Sequence, residues 1–255
     1  MLFSCSPERK LAKQFVQDKQ QPSLLVLMPD IIFKENIKKI RTVADDADSI
    51  ENPLFLDKIM DAEVLNRFKM VYQKELKQYN VNIYDDSTFE NFLKVDSNAW
   101  MVNLTQIEFQ EYNTAYTDKE DFLGTEYTSE VPLNAFNSAY WFELSKVNAP
   151  DTIKPAIMFG SNDLLDRFTG EFIMDIFTGV MTYNLDIDTI TMDNFYNQID
   201  FSARLYAGYT YDYLLNNFIQ QHFPSDSKSD KYYRYDPYRN KIFMALEDKF
   251  VPLGQ

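Results

Sequence analysis

Carboxylates and a single histidine set the chemistry open to this chain, which holds 39 Asp and Glu residues against one His in 255 residues. A histidine-based triad or a multi-histidine metal site would have to use His222 or do without. His222 closes a helical pattern, where an imidazole favours the dipole, and that is the plainer reading. Phe159-Gly160-Ser161-Asn162-Asp163 places a serine beside a glycine but lacks the second glycine of a nucleophile elbow. Ser161 reads better as a helix cap. A glycosidase needs only two carboxylates at a suitable separation, and Asp186 and Asp188 are the first pair to consider. Asp45, Asp46 and Asp48 lie in a long connection over 31–51. They lack the alternating ligands, turn glycine and closing glutamate of a helix-loop-helix calcium site, and read as a solvated acidic loop. With 6 glycines and no glycine-rich phosphate loop, nucleotide binding is not expected. No catalytic residue, metal or cofactor is assigned.

Binding chemistry is easier to find. Tyr232, Tyr233, Tyr235 and Tyr238 crowd a short span with Arg234 and Arg239, and aromatic faces with polar tips suit a carbohydrate or a peptide. The same residues would serve if the segment wrapped back over the domain, and that reading is the plainer one. Nucleic acid is not an expected partner, because 25 basic residues face 39 acidic ones for a formal net charge of −14. Lys34, Lys38, Lys39 and Arg41 form the densest basic patch and read as a solvated face. No run approaches the roughly 18 uninterrupted apolar residues of a spanning helix, and 172–185 is expected to be a core helix.

Cys5 is the sole cysteine, so an internal disulfide is excluded. Leu2-Phe3-Ser4-Cys5 resembles a bacterial lipobox, the acylation motif of lipoproteins, and on those four residues the chain resembles an uncharacterised Bacteroidetes-type envelope lipoprotein. The resemblance implies an acylated Cys5, a membrane partner through that anchor, and an envelope protein or glycan as a further partner. Ser6-Pro7-Glu8-Arg9-Lys10 has neither an Asp after the cysteine nor an acidic run, which implies the periplasmic side of an outer membrane. A signal peptide's apolar stretch would have to lie upstream of Met1. A fortuitous Cys5 in a cytoplasmic scaffold is the competing reading.

The strongest local pattern runs over 52–84. Asn52 as N-cap and Pro53 at the first helical position open a helix whose Leu56, Ile59, Met60, Val64, Leu65, Phe68, Val71, Tyr72, Leu76 and Tyr79 form one apolar stripe. Asn80 can end it in the left-handed conformation before a strand at Val81-Asn82-Ile83-Tyr84. Leu24-Leu25-Val26-Leu27-Met28 reads as a strand buried on both faces in mid-sheet. Ser87-Thr88-Phe89-Glu90 reads as a capping box for a short helix. Alternation from Trp100 changes phase near Thr105-Gln106, which predicts a β-bulge in a strand reaching toward Tyr116. A connection over 117–132 and an antiparallel strand from about Leu133 follow. Leu165, Phe168, Phe172, Ile176 and Val180 hold a helical period, and a second helix is expected over 192–222, the two forming a hairpin.

The expected fold is α+β: a small mixed or antiparallel sheet covered by a long helix, then a long helical hairpin and a tyrosine-rich C-terminal segment. The segments are a lipid anchor and tether (1–21), a sheet domain (22–150), the hairpin (151–224) and the tail (225–255), or one globular unit from 22 to 255. The expected function is a non-enzymatic cell-envelope lipoprotein with a binding or assembly role. A carboxylate-dependent polysaccharide hydrolase is the alternative from another class.

Overall fold

A computed structural model describes residues 6–18, 21–38, 55–95, 98–147, 154–224 and 231–253. Its sheet is organised around β1 (Ser23–Leu27), whose Leu24, Leu25 and Val26 are all buried. A strand apolar on both faces needs neighbours on both edges. It has them: β1 lies parallel to β3 (Asn82–Tyr84) on one side and to β4 (Ala99–Phe122) on the other. After Pro29-Asp30 the chain rejoins the same edge of β4 further along, as β2 (Phe33–Asn36).

β4 and β5 (Thr125–Lys146) form a long hairpin, and β6 (Ala156–Leu165) and β11 (Val251–Pro252) extend the sheet antiparallel beyond it. The bulge falls where the alternation slips, between Leu104 and Gln106, and the Thr105 hydroxyl donates to the Trp141 carbonyl at 3.1 Å. The slip returns Ile107 and Phe109 to the buried face of Trp100, Val102 and Leu104. The expected connection over 117–132 is instead ladder, and the turn is only Leu123-Gly124, with φ of 54° and 81°. Both residues left-handed is the geometry that suits a tight hairpin.

Two long helices cover the sheet. α2 (Asp61–Gln78) buries Val64, Phe68, Tyr72 and Leu76 at four-residue steps and ends at Asn80, whose φ is 58°. It starts later than its periodicity suggests, after a 3-10 turn (Phe55–Lys58). Tertiary contacts bend that entry: the Glu111 carboxylate accepts the Leu56 N–H, and Lys34 donates to the Ile59 carbonyl while pairing with Asp61. Asn52 and Pro53 lie outside the described residues, as do Cys5, Lys39, Arg41 and the Asp45, Asp46 and Asp48 cluster. Lys34 and Lys38 form ion pairs, with Asp61 at 2.6 Å and Glu111 at 2.5 Å, rather than a solvated face. The short helix α3 (Phe89–Phe92) follows a turn capped by Asp85, not Ser87: its carboxylate accepts the Ser87 N–H, and the Thr88 hydroxyl accepts the Asp85 N–H.

α4 (Met192–His222) matches its expected span and is the helix against which much of the chain packs. Thr191 and Asn194 cap it reciprocally. The Tyr72 hydroxyl and the Thr210 hydroxyl meet at 2.6 Å, and Arg67 grips Asp200 through two bonds of 2.7 and 3.0 Å. Gly160 lets β6 approach this helix closely: a Cβ there would sit 2.5 Å from the Tyr206 ring.

The expected helical hairpin is half wrong. Residues assigned to its first helix form β6, β7 (Arg167–Met174) and β8 (Met181–Asp188). Phe168, Gly170, Phe172 and Met174 also satisfy a period of two, and glycine weakens a helix. Gly179 takes the left-handed turn at φ 70°, and Asp175 caps the Phe177 and Thr178 amides. The β7–β8 hairpin lies alongside the outer half of β4–β5: Tyr116 meets Phe168 at 5.1 Å, Tyr127 meets Phe172 at 6.3 Å, and the Tyr183 hydroxyl donates to Asp118 at 2.8 Å. These contacts advance in step, so the two hairpins run side by side as one arm. Leu123, Ile176 and Phe177 at their turns are 89%, 81% and 93% exposed.

Within the segment expected as a tether, residues 7–17 form a helix. Ser6 caps α1 (Pro7–Gln17) with Pro7 in its first turn, and Phe15 packs on Tyr211 and Phe218 of α4. Leu11, Ala12 and Phe15 supply the helical stripe that a polar average conceals. One cluster of buried residues runs from Ala12 to Phe250, through both long helices and the sheet.

Candidate functional site

β9 (Tyr232–Asp236) and β10 (Lys241–Ala245) form a hairpin whose turn contains Asp236-Pro237, and it lies against α4. The attachment is a match of periods. The Asp212 carboxylate accepts the Tyr235 N–H at 3.1 Å, and the Asn216 amide accepts the Tyr233 N–H at 2.8 Å and donates to its carbonyl at 3.2 Å. One helical turn advances four residues about 6 Å, close to the roughly 6.6 Å that two strand residues span. Two side chains on one helix face can therefore satisfy the edge of a strand.

Between helix and hairpin lies an open cleft of about 470 Å³. Phe201, Arg204 and Tyr209 of α4 line one wall, Arg234, Tyr238 and Phe243 the other. Gly208 and Tyr79 also border it, and a Cβ at 208 would lie 3.2 Å from the Tyr79 hydroxyl. Phe201, Tyr238 and Phe243 are 50%, 70% and 44% exposed, so three ring faces meet solvent around one space. Arg234 stacks over Tyr209 at 5.1 Å and reaches Asp212 at 3.7 Å.

The four tyrosines expected to bind are not brought together in one lining. Tyr238 lines the cleft, and its hydroxyl donates to Glu75 of α2 at 2.6 Å, which with burial pushes its pKa up to about 12. Tyr235 borders the cleft, with its ring 5.9 Å from that of Tyr211. Tyr233 is buried, its hydroxyl 3.0 Å from that of Ser6, and serves packing. Tyr232 opens β9, half-buried, and lies outside the cleft lining. Sequence reasoning missed Phe201, Arg204 and Tyr209, because the hairpin that faces them is distant in the chain.

Electrostatics concentrate on Asp212 and Asp248. Burial pushes the Asp212 pKa up to about 8, against the pull of the Tyr235 N–H and Arg234 and with a further push from Asp248. Burial likewise raises Asp248 to about 6, opposed by the Asn216 amide, which donates to it at 3.2 Å. Burial thus favours the protonated form of Asp212. The other cleft carboxylate, Asp236, is occupied by the turn, accepting the Tyr238 and Arg239 amides.

The remaining candidates fall elsewhere. Ser161 sits within β6, bonded by the Asn137 amide at 3.2 Å, and caps no helix. Asp186 and Asp188 are exposed on β8, on the arm. The His222 ring stacks on Phe218 at 4.0 Å in the last turn of α4, as a helix-terminal residue. Among the described residues there is no cluster of His, Cys, Asp and Glu able to hold a metal ion, and no helix long and apolar enough to cross a membrane. No protein-family model matches the chain, and no curated protein is significantly similar to it.

Proposed function

We propose that this protein is a cell-envelope lipoprotein, anchored through Cys5 on the periplasmic side of an outer membrane, that binds a glycan without transforming it. The observation that carries the binding role is the cleft where Phe201, Tyr238 and Phe243 expose ring faces beside Arg204 and Arg234. Sugar rings stack on such faces, and guanidinium groups at the edge supply fixed donors for hydroxyl and carboxylate groups. The open shape suits an extended chain. The carboxylate-dependent hydrolase is less well supported, because it needs two facing carboxylates and Asp236 is committed to its turn.

Titration calorimetry with soluble peptidoglycan glycan fragments, and with unrelated peptides as the control, tests the binding role. Glycan binding that drops about tenfold in Tyr238→Ala and Phe201→Ala is expected, an effect of the size found for removing an aromatic platform. Equal binding of peptides, or release of shortened glycan, overturns it. Mass spectrometry of the N-terminus from the native host tests the anchor, and an unmodified Cys5 rejects it.

A further inference from the structure

The solvent face of α1 carries Arg9, Lys10 and Lys13. Its one carboxylate, Glu8, turns inward at 5% exposure and pairs with Lys231 at 3.3 Å. Arg9 and Lys13 stand one helical turn apart, a spacing at which like charges repel. β10 adds Lys241 opposite them, and the three line a cleft of about 450 Å³ whose apolar wall is Val16, Ile242 and Phe243. Among the described residues no carboxylate pairs with Arg9, Lys13 or Lys241, in a chain of formal net charge −14. Screening over about 8 Å at physiological salt keeps the distant acids from cancelling so local a patch.

Apolar side chains border the basic groups. Val16 and Phe243 line the same cleft as Lys13 and Lys241, and Phe243 is 44% exposed. Cations beside exposed apolar groups are the pairing with which a protein lies on a bilayer, headgroup phosphates meeting the one and the acyl boundary the other. We propose that this face is a binding site for anionic phospholipid headgroups, laying α1 and β10 against the membrane surface. The membrane assignment rests on the anchored-lipoprotein reading, because Cys5 immediately precedes the Ser6 cap of α1.

The test uses the full chain with Cys5→Ser, so that no acyl group contributes. It is sedimented with vesicles of phosphatidylglycerol and phosphatidylethanolamine, and with vesicles of phosphatidylcholine alone. Binding to the anionic vesicles is expected, weakening at least about tenfold between about 0.05 M and about 0.5 M salt, and by a similar factor in Lys13→Glu with Lys241→Glu. Equal binding to both vesicle types, unchanged binding by the charge-reversed protein, or binding of inorganic phosphate without vesicle binding overturns the proposal. Anionic-vesicle binding with a native Cys5 found unmodified supports the headgroup site and removes the anchor. An acylated native Cys5 with no vesicle binding by the Ser variant keeps the anchor and rejects the site.

Discussion

The Asp212 carboxylate accepts the Tyr235 backbone N–H at 3.1 Å, fastening the C-terminal hairpin to α4 with a group whose pKa burial raises to about 8. The raised value gives stability a sign. The contribution is fully present below the ordinary carboxylate pKa of about 4 and is lost as pH rises through about 8. Asp248 acts alike over a lower window, from about 4 to about 6. Urea midpoints are therefore expected to fall as pH rises toward 9. Asp212→Asn keeps an acceptor oxygen and removes the charge, so it should flatten the decline and be the more stable protein at the alkaline end. A variant that tracks the native chain at every pH would contradict this.

Tyr238 divides structure from binding. Its hydroxyl bonds Glu75 at 2.6 Å, while its ring is part of the cleft. Tyr238→Phe should cost about 1 kcal/mol of stability and retain glycan affinity, whereas Tyr238→Ala should lose that affinity. Calorimetry and urea unfolding on the pair separate the two effects.

Gly160 is a close contact between sheet and helix. A methyl there would meet the buried Tyr206 ring at 2.5 Å, and Asn162 holds the Tyr206 hydroxyl at 2.9 Å, so the ring is not free to swing away. Gly160→Ala is expected to destabilise by about 1–3 kcal/mol, the usual cost of overpacking. Gly208→Ala, 3.2 Å from the Tyr79 hydroxyl, should cost less.

At the tip of the arm, Leu123 holds φ 54° and is 89% exposed. A side chain of that size pays about 1–2 kcal/mol for the left-handed region, which asparagine tolerates better. Leu123→Asn should raise the melting temperature without disturbing the hairpin ladder, as read by thermal scans and amide exchange.

The local turns and periods were largely legible. Asn80, the slip at Thr105 and the span of α4 each follow from one residue type or one uninterrupted period. Where two periods fit the same residues, as over 161–185, sequence alone chose the wrong one. Phe168 and Phe172 are four apart, which suits a helix face and equally one side of a strand. The deciding fact is nonlocal: Tyr116 and Tyr127 of the long hairpin stand ready to receive those rings. The polar average over α1 likewise hid Ala12 and Phe15, since a short helix needs few apolar residues when a larger helix waits beside it.

The candidate site was half legible. Tyr235 and Tyr238 could be singled out because aromatic residues with polar tips crowd a short span. Their division of labour with Tyr233 and Tyr232 could not, because it depends on which edge of β9 meets α4. The amino-acid sequence by itself determined the α+β class, the buried central strand, the bulge and the long helix, since each rests on interactions within a few residues. Tertiary structure alone decided the arm, the entry to α2, the basic face and the cleft, because each brings together side chains far apart in the chain, and no local period records where such partners will meet.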